Sequence, residues 1–235
     1  MSYHSESRLQ NHILAALPQE SYERLLPRLE PVDLSHGQLL YEIDDPIEHV
    51  YFPFRAMVSL VTQMVDGKVV EVGLVGRDGM TGLSGLMGHS NSFERAIVQI
   101  PNGAVRTRLA VVKEEFEKGG AFQHVLLRYA DSLMRQVSQT AACNASHTAE
   151  ERLSRWLLMC HDRVESPKLN LTQEFLAEML GTRRGTVNVA AITLQSAKLI
   201  HYQRGHITIV DRPGLEAFAC ECYAMLQSRT DGDSY

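Results

Sequence analysis

The chain has few cysteines: four in 235 residues, and none before Cys143. Four widely spaced thiols do not make a disulfide framework for a chain of this length. Two of them stand in Cys220-Glu221-Cys222, within a stretch that predicts a helix, where neighbours two apart point to different sides. We interpret them as small helical residues, with a metal or redox role as the minor alternative. We therefore expect no metal ligands and no cofactor.

Long apolar runs are also absent. No stretch reaches the ~20 consecutive apolar residues that span a bilayer, and the N-terminal MSYHSESRLQNH contains no apolar signal-peptide core. The sequence therefore predicts a soluble, cytoplasmic protein with no membrane partner.

An excess of positive charge is missing as well, because the chain carries a net charge of −5 at pH 7. The charge is uneven, however. Residues 168–212 hold six Lys or Arg against three Asp or Glu, a net charge of +3, which leaves −8 for the remainder. A locally basic segment on an acidic body suits a DNA-binding domain that avoids indiscriminate adsorption, although an uneven solvated surface would give the same count.

The segment Leu171–Leu199 has the pattern of two short helices around a tight turn. Apolar residues recur at helical spacing in its first half, where Thr172 is placed to cap the helix. Gly181 follows where the chain needs a left-handed residue, and Thr182 is expected to cap the second helix. The inner face of the second helix is predicted to consist of Val187, Ala190, Ala191 and Leu194. An ordinary helical hairpin would show the same pattern.

Polar and basic residues around the start of the second helix are the candidate DNA contacts, because such a face suits the major groove. Two short apolar strands follow, Leu199–Tyr202 and His206–Val210, and the turn between them carries Arg204 as the tip of a wing. The predicted DNA-binding residues are Thr172, Gln173, Thr182, Arg183, Arg184, Gly185, Thr186, Asn188, Val189, Lys198 and Arg204.

This winged helix-turn-helix, with the elements that precede it, resembles the Crp/Fnr family of bacterial transcription regulators from about Leu14 to Val210. The resemblance is most specific at Gly181–Val187 and places Arg184 where family members usually read a guanine. Gly185 and Val189 stand where many members carry a glutamate and a second arginine, so the usual half-site is not expected. The resemblance implies a homodimer on a pseudo-palindromic double-stranded DNA site, with RNA polymerase as a further candidate partner.

From Val32 to Glu115 the pattern changes to short apolar runs separated by turn residues, which predicts many short antiparallel strands. Asp66-Gly67 and Asn102-Gly103 each predict a hairpin turn. With helices at both ends, this indicates a β-roll, in agreement with the cyclic-nucleotide-binding-like domain that the resemblance implies. The expected fold class is α+β: an N-terminal antiparallel β-roll, a long dimerisation helix and a C-terminal winged helix-turn-helix.

The glycine-rich stretch Gly76–Gly88 is the candidate effector site, because backbone amides freed by glycine can cradle an anion. In relatives that bind cyclic AMP, the resemblance implies backbone amides, a glutamate and an Arg-Ser pair around the ribose phosphate. Arg95 falls near that arginine, but Ala96 replaces the serine, and Leu83, next to Gly82, replaces the glutamate. We predict that cyclic AMP is not the effector. Glycines that only turn the chain are the plain alternative.

Other chemistries find less support. The family's oxygen-sensing iron–sulfur cluster is excluded, because four neighbouring thiolates are not available. His36, His49 and His89 are haem-ligand candidates by residue type alone, and solvated loop histidines are the plainer interpretation. A metal-dependent β-roll enzyme would need His-x-His with further ligands at strand spacing, which is lacking. We expect no catalytic residues and no enzyme activity.

Phe122–Asn144 predicts a long helix with a narrow seam whose positions step by three and four. In the Crp/Fnr family this helix pairs with its twin; burial within its own subunit is the alternative. The predicted dimerisation residues are Phe122, Leu126, Tyr129, Leu133 and Val137.

Three domains follow from these patterns: a sensor domain at 1–120, a dimerisation helix at 121–145 and a DNA-binding domain at 146–235. A capping box at Thr148–Glu151 starts the first helix of the last domain. The predicted function is that of a homodimeric, sequence-specific transcription regulator with an effector other than cyclic AMP. An effector-independent regulator is the alternative, and a metal-dependent β-roll enzyme is a more remote one.

Overall fold

The computed structural model describes residues 9–88, 90–164 and 166–232, with side chains up to residue 227. Internal contacts divide the chain into two compact units. Of the described residues, one unit comprises those up to Leu60 together with Leu74–Met134, and the other comprises Val61–Gly73 and residues 135–232. His89, one of the haem-ligand candidates, lies outside the described residues.

Two short helices and a 3₁₀ turn come first, then seven strands and a further helix. These elements are α1 (His12–Ala16), α2 (Gln19–Leu25), the turn Leu26–Arg28, β1 (Glu30–Leu34), β2 (Leu39–Tyr41), β3 (His49–Pro53), β4 (Met57–Gln63), β5 (Val69–Val75), β6 (Arg95–Ile100), β7 (Asn102–Arg108) and α3 (Leu109–Glu117). The strands form sheets of order β1-β7-β3 and β2-β6-β4-β5. Apolar side chains of the strands, such as Phe52, Val58 and Val98, are wholly buried. The α+β class and the N-terminal β-structure predicted from the sequence are confirmed.

One of the two predicted hairpin turns is correct. Gly67 has a φ of +84°, as a tight turn between β4 and β5 requires. Asn102 and Gly103, by contrast, do not turn the chain back on β6: they lie in β7 and pair with β1. Pro101 explains the difference, because proline has no N–H for a strand ladder and favours a change of direction. The chain crosses there from one sheet to the other.

Asn11 anchors the N-terminal helix and is wholly buried (0% exposed). Its Oδ1 accepts the N–H groups of Ile13 and Leu14 at 3.1 and 3.3 Å and so caps α1. Its Nδ2 donates to the carbonyls of Pro53 and Gly79 at 2.9 and 2.8 Å. One amide side chain thus ties the helix to β3 and to the glycine-rich stretch, a contact that sequence reasoning missed.

The predicted long helix is present as α4 (Gly120–Ser146). Phe122, Leu126 and Tyr129 of the predicted seam are buried within the chain itself, and Tyr129 Oη donates to the Met80 carbonyl at 2.7 Å. For these three residues the structure therefore shows the alternative, packing inside their own subunit. An apolar stripe requires burial, but it does not say by which partner.

The rest of the seam is less enclosed. Leu133 and Val137 are half-buried. The large apolar side chains that α4 exposes in the described part of the chain are Leu127 (51%) and Met134 (62%), seven residues apart. They form a second apolar stripe on the helix, and each follows a residue of the predicted seam by one position, Leu126 and Leu133 respectively.

The C-terminal part of the chain contains α5 (Ala149–Val164), β8 (Lys168–Asn170), α6 (Gln173–Met179), α7 (Arg184–Ser196), β9 (Ile200–Gln203), β10 (His206–Ile209), α8 (Arg212–Phe218) and α9 (Cys222–Gly232). The predicted capping box is confirmed: Thr148 N–H donates to Glu151 Oε2 at 2.8 Å, and Glu151 N–H donates to Thr148 Oγ1 at 3.4 Å. Trp156 is core, with Nε1 donating to Glu71 Oε1 at 2.7 Å. No helix in the described ranges is long and apolar enough to cross a bilayer.

The prediction that Cys220-Glu221-Cys222 lies within a helix is wrong for its first two residues. The chain leaves α8 at Ala219, whose backbone is extended, and resumes helix only at Cys222. Cys220 therefore lies in a break and not within a helix. Because of the break, Cys220 and Cys222 are both buried (5% and 1% exposed), which two residues on different sides of one surface helix would not be.

Candidate nucleic-acid interface

Helices α6 and α7 form the predicted helix-turn-helix. Thr172 caps α6, since its Oγ1 accepts the Phe175 N–H at 3.2 Å. Gly181 has a φ of +57°, the left-handed conformation expected after a helix.

The predicted cap of α7 is wrong by one residue. Thr182 N–H bonds to the Ala177 carbonyl at 2.9 Å and so belongs to the end of α6. Arg183 takes the cap position without a side-chain capping bond, and α7 begins at Arg184.

The two faces of α7 separate as predicted. Val187, Ala190, Ala191 and Leu194 are buried. The predicted DNA-binding residues that are exposed are Thr172, Arg183, Arg184, Gly185, Thr186, Asn188, Val189, Lys198 and Arg204, whereas Gln173 and Thr182 are half-buried. A recognition helix needs this combination, with one face holding it to the body and the other open to a groove.

An open groove of about 440 Å³ is lined by residues from the start of both helices and from the wing. Four predicted residues line it, Thr172, Gln173, Arg184 and Arg204, together with Glu174, Tyr202 and Gly205. Gln173 Nε2 also donates to Asn188 Oδ1 at 2.8 Å, which adds a fifth predicted residue to the cluster. The structure thus brings predicted residues separated by up to 32 positions in the chain into one basic and polar surface.

Glu174 and Tyr202 belong to this surface although sequence reasoning did not select them. Glu174 Oε2 lies 3.9 Å from Arg184 Nη1, but both side chains are largely exposed, so the pair is weak and the guanidinium remains accessible. Tyr202 Oη donates to the Leu171 carbonyl at 3.3 Å, and burial raises the pKa of this phenol. The period-two pattern of β9 could have shown that Tyr202 and Ile200 share a side.

The wing is confirmed as the hairpin β9–β10, extended by β8 into a sheet of order β8-β10-β9. Arg204 and Gly205 have φ of 49° and 81°, the positive values that a two-residue hairpin turn requires at both positions. Lys198 also has a positive φ, 61°, where the chain leaves α7. Arg204 and Lys198 therefore both occupy sharp turns of the chain, and both side chains are exposed.

The predicted effector residues do not form an open anion site. Gly82 has a φ of +78° and is closely surrounded, while Leu83 and Ala96 are buried. Arg95 is engaged by Glu42, with Nε–Oε1 and Nη2–Oε2 distances of 2.9 and 2.6 Å. The hydrogen bonds from Arg95 lower the pKa of Glu42, so this carboxylate stays charged and bound.

The geometry defines a winged helix-turn-helix protein, and comparison with known proteins specifies the type. Residues 151–218 match the family model of the Crp-like helix-turn-helix domain. The chain is 24% identical over 190 residues to the global nitrogen regulator of Synechococcus elongatus, covering 77% of this chain and 86% of that one. The global nitrogen regulator of Synechocystis is also 24% identical, over 87% of this chain and 94% of the relative.

Solved structures share the fold. FixK2 from Bradyrhizobium japonicum superposes with a TM-score of 0.70 at 16% identity, over 82% of this chain and 98% of that chain. A CRP/FNR-family transcriptional regulator from Thermus thermophilus gives 0.65 at 18% identity, over 81% and 98%. The chain accordingly has the fold of these regulators, and its residues 151–218 match a Crp-like helix-turn-helix domain, in agreement with the resemblance seen in the sequence. The prediction that it is not an enzyme is likewise confirmed, because the proteins it resembles are transcription regulators.

Proposed function

We propose that the protein regulates transcription as a homodimer that inserts α7 of each subunit into the major groove of a pseudo-palindromic DNA site. Its parts are then the sensor domain 1–120, the dimerisation helix 121–145 and the DNA-binding domain 146–235, with RNA polymerase as a further partner. The observation that carries the proposal is the groove where Arg184 at the start of α7 meets Arg204 of the wing.

Base recognition falls to the exposed face of α7. Arg184 can offer two parallel N–H donors to a guanine edge, the commonest specific contact in the major groove. Asn188, held by Gln173, keeps its amide donors available for a base acceptor. Val189 and Ile192 are 58% and 53% exposed on the same helix and suit thymine methyl groups.

Phosphate contacts fall to the edges of this surface. Lys198 and Arg204 carry exposed cations, and Thr172 and Arg183 stand at helix starts, where backbone N–H groups favour an anion. Such contacts set register and affinity without reading sequence.

Replacing Arg184 by alanine should abolish the preference for one base pair of the site. The loss expected is ~1–3 kcal/mol on the preferred sequence, a factor of roughly 5–150, and much less on sequences that lack the guanine. Selection from random duplexes measures the base preference, and binding titrations on the selected sequences measure the loss of affinity. Equal loss on every sequence would show that Arg184 is a phosphate contact.

Two control variants complete that experiment. Lys198→Ala should weaken all sequences alike and reduce the salt slope of log affinity by about one. Arg28→Ala removes an exposed arginine from the other unit and should leave DNA binding unchanged.

We also propose that cyclic AMP does not control the protein. The absent serine hydroxyl and ribose-binding carboxylate, at Ala96 and Leu83, remove contacts worth ~1–3 kcal/mol each, which weakens a micromolar ligand by roughly 30- to 20,000-fold. Arg95, the remaining candidate, is already held by Glu42. Calorimetric titration with cyclic AMP and cyclic GMP should show no micromolar binding. Micromolar affinity accompanied by stronger DNA binding would contradict the proposal.

The ion pair between Arg95 and Glu42 supports the alternative of an effector-independent regulator, because Glu42 already accepts hydrogen bonds from Arg95 without a ligand. Exhaustively dialysed protein that binds its selected DNA site at full strength would favour this alternative. Recovery of binding only after addition of a cell extract would favour an effector.

A further inference from the structure

Three of the four cysteines and one histidine meet at a single point within the C-terminal unit. The sulfur atoms of Cys143, Cys220 and Cys222 and a ring nitrogen of His147 all lie within 4.8 Å of one another. Cys143 Sγ is 3.5 Å from Cys220 Sγ, and Cys222 Sγ is 3.6 Å from His147 Nδ1. The three thiols are buried and the imidazole is half-buried.

Two local structures bring these side chains together. Cys143 lies in the last turn of α4, and His147 follows four residues later, at the spacing that places two side chains on one face. Cys220 and Cys222 lie at the break between α8 and α9. The break therefore places both thiols beside the end of α4.

We propose that Cys143, His147, Cys220 and Cys222 bind one Zn²⁺ ion in tetrahedral coordination, through three sulfurs and His147 Nδ1. Three cysteines and one histidine are a common zinc ligand set. With Zn–S bonds near 2.3 Å and Zn–N bonds near 2.05 Å, tetrahedral geometry separates two sulfurs by about 3.8 Å and a sulfur from a nitrogen by about 3.6 Å. The corresponding distances here are 3.5 Å for Cys143 Sγ–Cys220 Sγ and 3.6 Å for Cys222 Sγ–His147 Nδ1. The ligands of an iron–sulfur cluster surround two or four irons and need a wider spacing.

The surroundings of the four ligands fit a bound cation with thiolates. His147 Nε2 lies 3.2 Å from Glu221 Oε2, the carboxylate–histidine contact that commonly orients a metal-bound imidazole. Gln139 Nε2 donates to Cys222 Sγ at 3.0 Å. One Zn²⁺ with three thiolates has a net charge of −1, and the buried Arg155 and half-buried Arg152 both interact electrostatically with Cys143.

The zinc site would cross-link the two ends of a segment that contains the DNA-binding elements. Residues 143–222 contain α5, the helix-turn-helix, the wing and α8, so one ion would join the two ends of this segment. Cross-linking so long a segment stabilises the folded state chiefly by restricting the unfolded chain. Zinc would accordingly act on stability and order whether or not DNA is present.

Metal analysis of the full-length protein tests the proposal. We expect one equivalent of zinc per chain, and Co²⁺ in its place should give a thiolate-to-cobalt charge-transfer band with strong visible d–d bands of a tetrahedral ion. Chelation should lower the melting temperature. Cys220→Ser and Cys222→Ser should each abolish the cobalt spectrum, whereas Cys160→Ser, which removes a buried thiol outside the cluster, should preserve it.

A milder variant keeps the test decisive if the cysteine variants do not fold. Glu221→Gln retains all four ligands and should weaken zinc roughly 10- to 100-fold, measured by competition with a chromophoric chelator. Several outcomes would overturn the proposal. These are an absence of stoichiometric zinc or cobalt binding, an iron–sulfur absorption spectrum, and a Cys143–Cys220 disulfide in the protein as isolated.

Discussion

Asn11→Asp should lower the free energy of unfolding by about 3–5 kcal/mol at neutral pH, the cost typical of an uncompensated buried charge. The new carboxylate would keep the two helix-capping contacts but would turn an oxygen toward the carbonyls of Pro53 and Gly79, where Asn11 now donates at 2.9 and 2.8 Å. For a chain of this size the melting temperature should fall by roughly 6–20 °C. Thermal denaturation followed by circular dichroism measures the change.

The pH dependence of this variant adds a second readout. Burial should raise the pKa of the introduced carboxyl above its ordinary ~3.9. A raised pKa in the folded state means that the destabilisation is smallest below the ordinary pKa and grows as pH rises through the raised value. Asn102→Asp is the matched control, because Asn102 uses only its oxygen, accepting the Gly103 N–H at 2.8 Å. Similar losses in both variants, independent of pH, would contradict the role assigned to Asn11.

Glutamate at both Leu127 and Met134 should convert the proposed dimer into monomers at micromolar concentration. On a twofold seam each residue meets its own copy, so the variant brings like charges together where apolar surface was expected. A cost of about 3–5 kcal/mol weakens the dimer by roughly a hundred- to several-thousandfold. Affinity for a two-half-site operator should fall with it, and sedimentation velocity gives the oligomeric state directly.

Met87→Glu is the matched control for the dimer experiment. Met87 and Met134 are both 62% exposed, but Met87 follows the 3₁₀ turn Leu83–Leu86 and not the long helix. This control should remain dimeric. A Leu127→Glu/Met134→Glu protein that stays dimeric and folded would move the seam elsewhere on the surface.

Local patterns carried the predictions that hold. The helix-turn-helix could be predicted because its apolar spacing, the Thr172 cap and the left-handed Gly181 are all decided within a few residues. The Asp66-Gly67 hairpin is correct for the same reason. At Asn102-Gly103 the local signal was equally clear, but β7 found its partner in β1, some 70 residues earlier, after Pro101 had redirected the chain.

Features that depend on distant partners could not be predicted in this way. Glu42 and Arg95 are 53 residues apart, and nothing in either neighbourhood indicates that they pair. Cys143 and Cys220 are 77 residues apart, so their spacing gave no metal motif, and the break before α9 that turns Cys220 inward was predicted as helix. Three residues of the α4 seam were correctly expected to be buried, but their partner within the chain depends on tertiary structure.

The bidentate contact between Glu42 and Arg95 affects how any anionic ligand would bind at Arg95 in the proposed sensor domain. Glu42 acts as a tethered competitor, present at all times at a local concentration that no dilution can reduce. If Arg95 is free for only ~1–10% of the time, the apparent dissociation constant of such a ligand rises roughly 10- to 100-fold above its intrinsic value. The carboxylate of Glu42 therefore sets an affinity threshold. Ordinary cellular anions bind Arg95 too weakly to reach it, and only a ligand with several further contacts can displace the carboxylate.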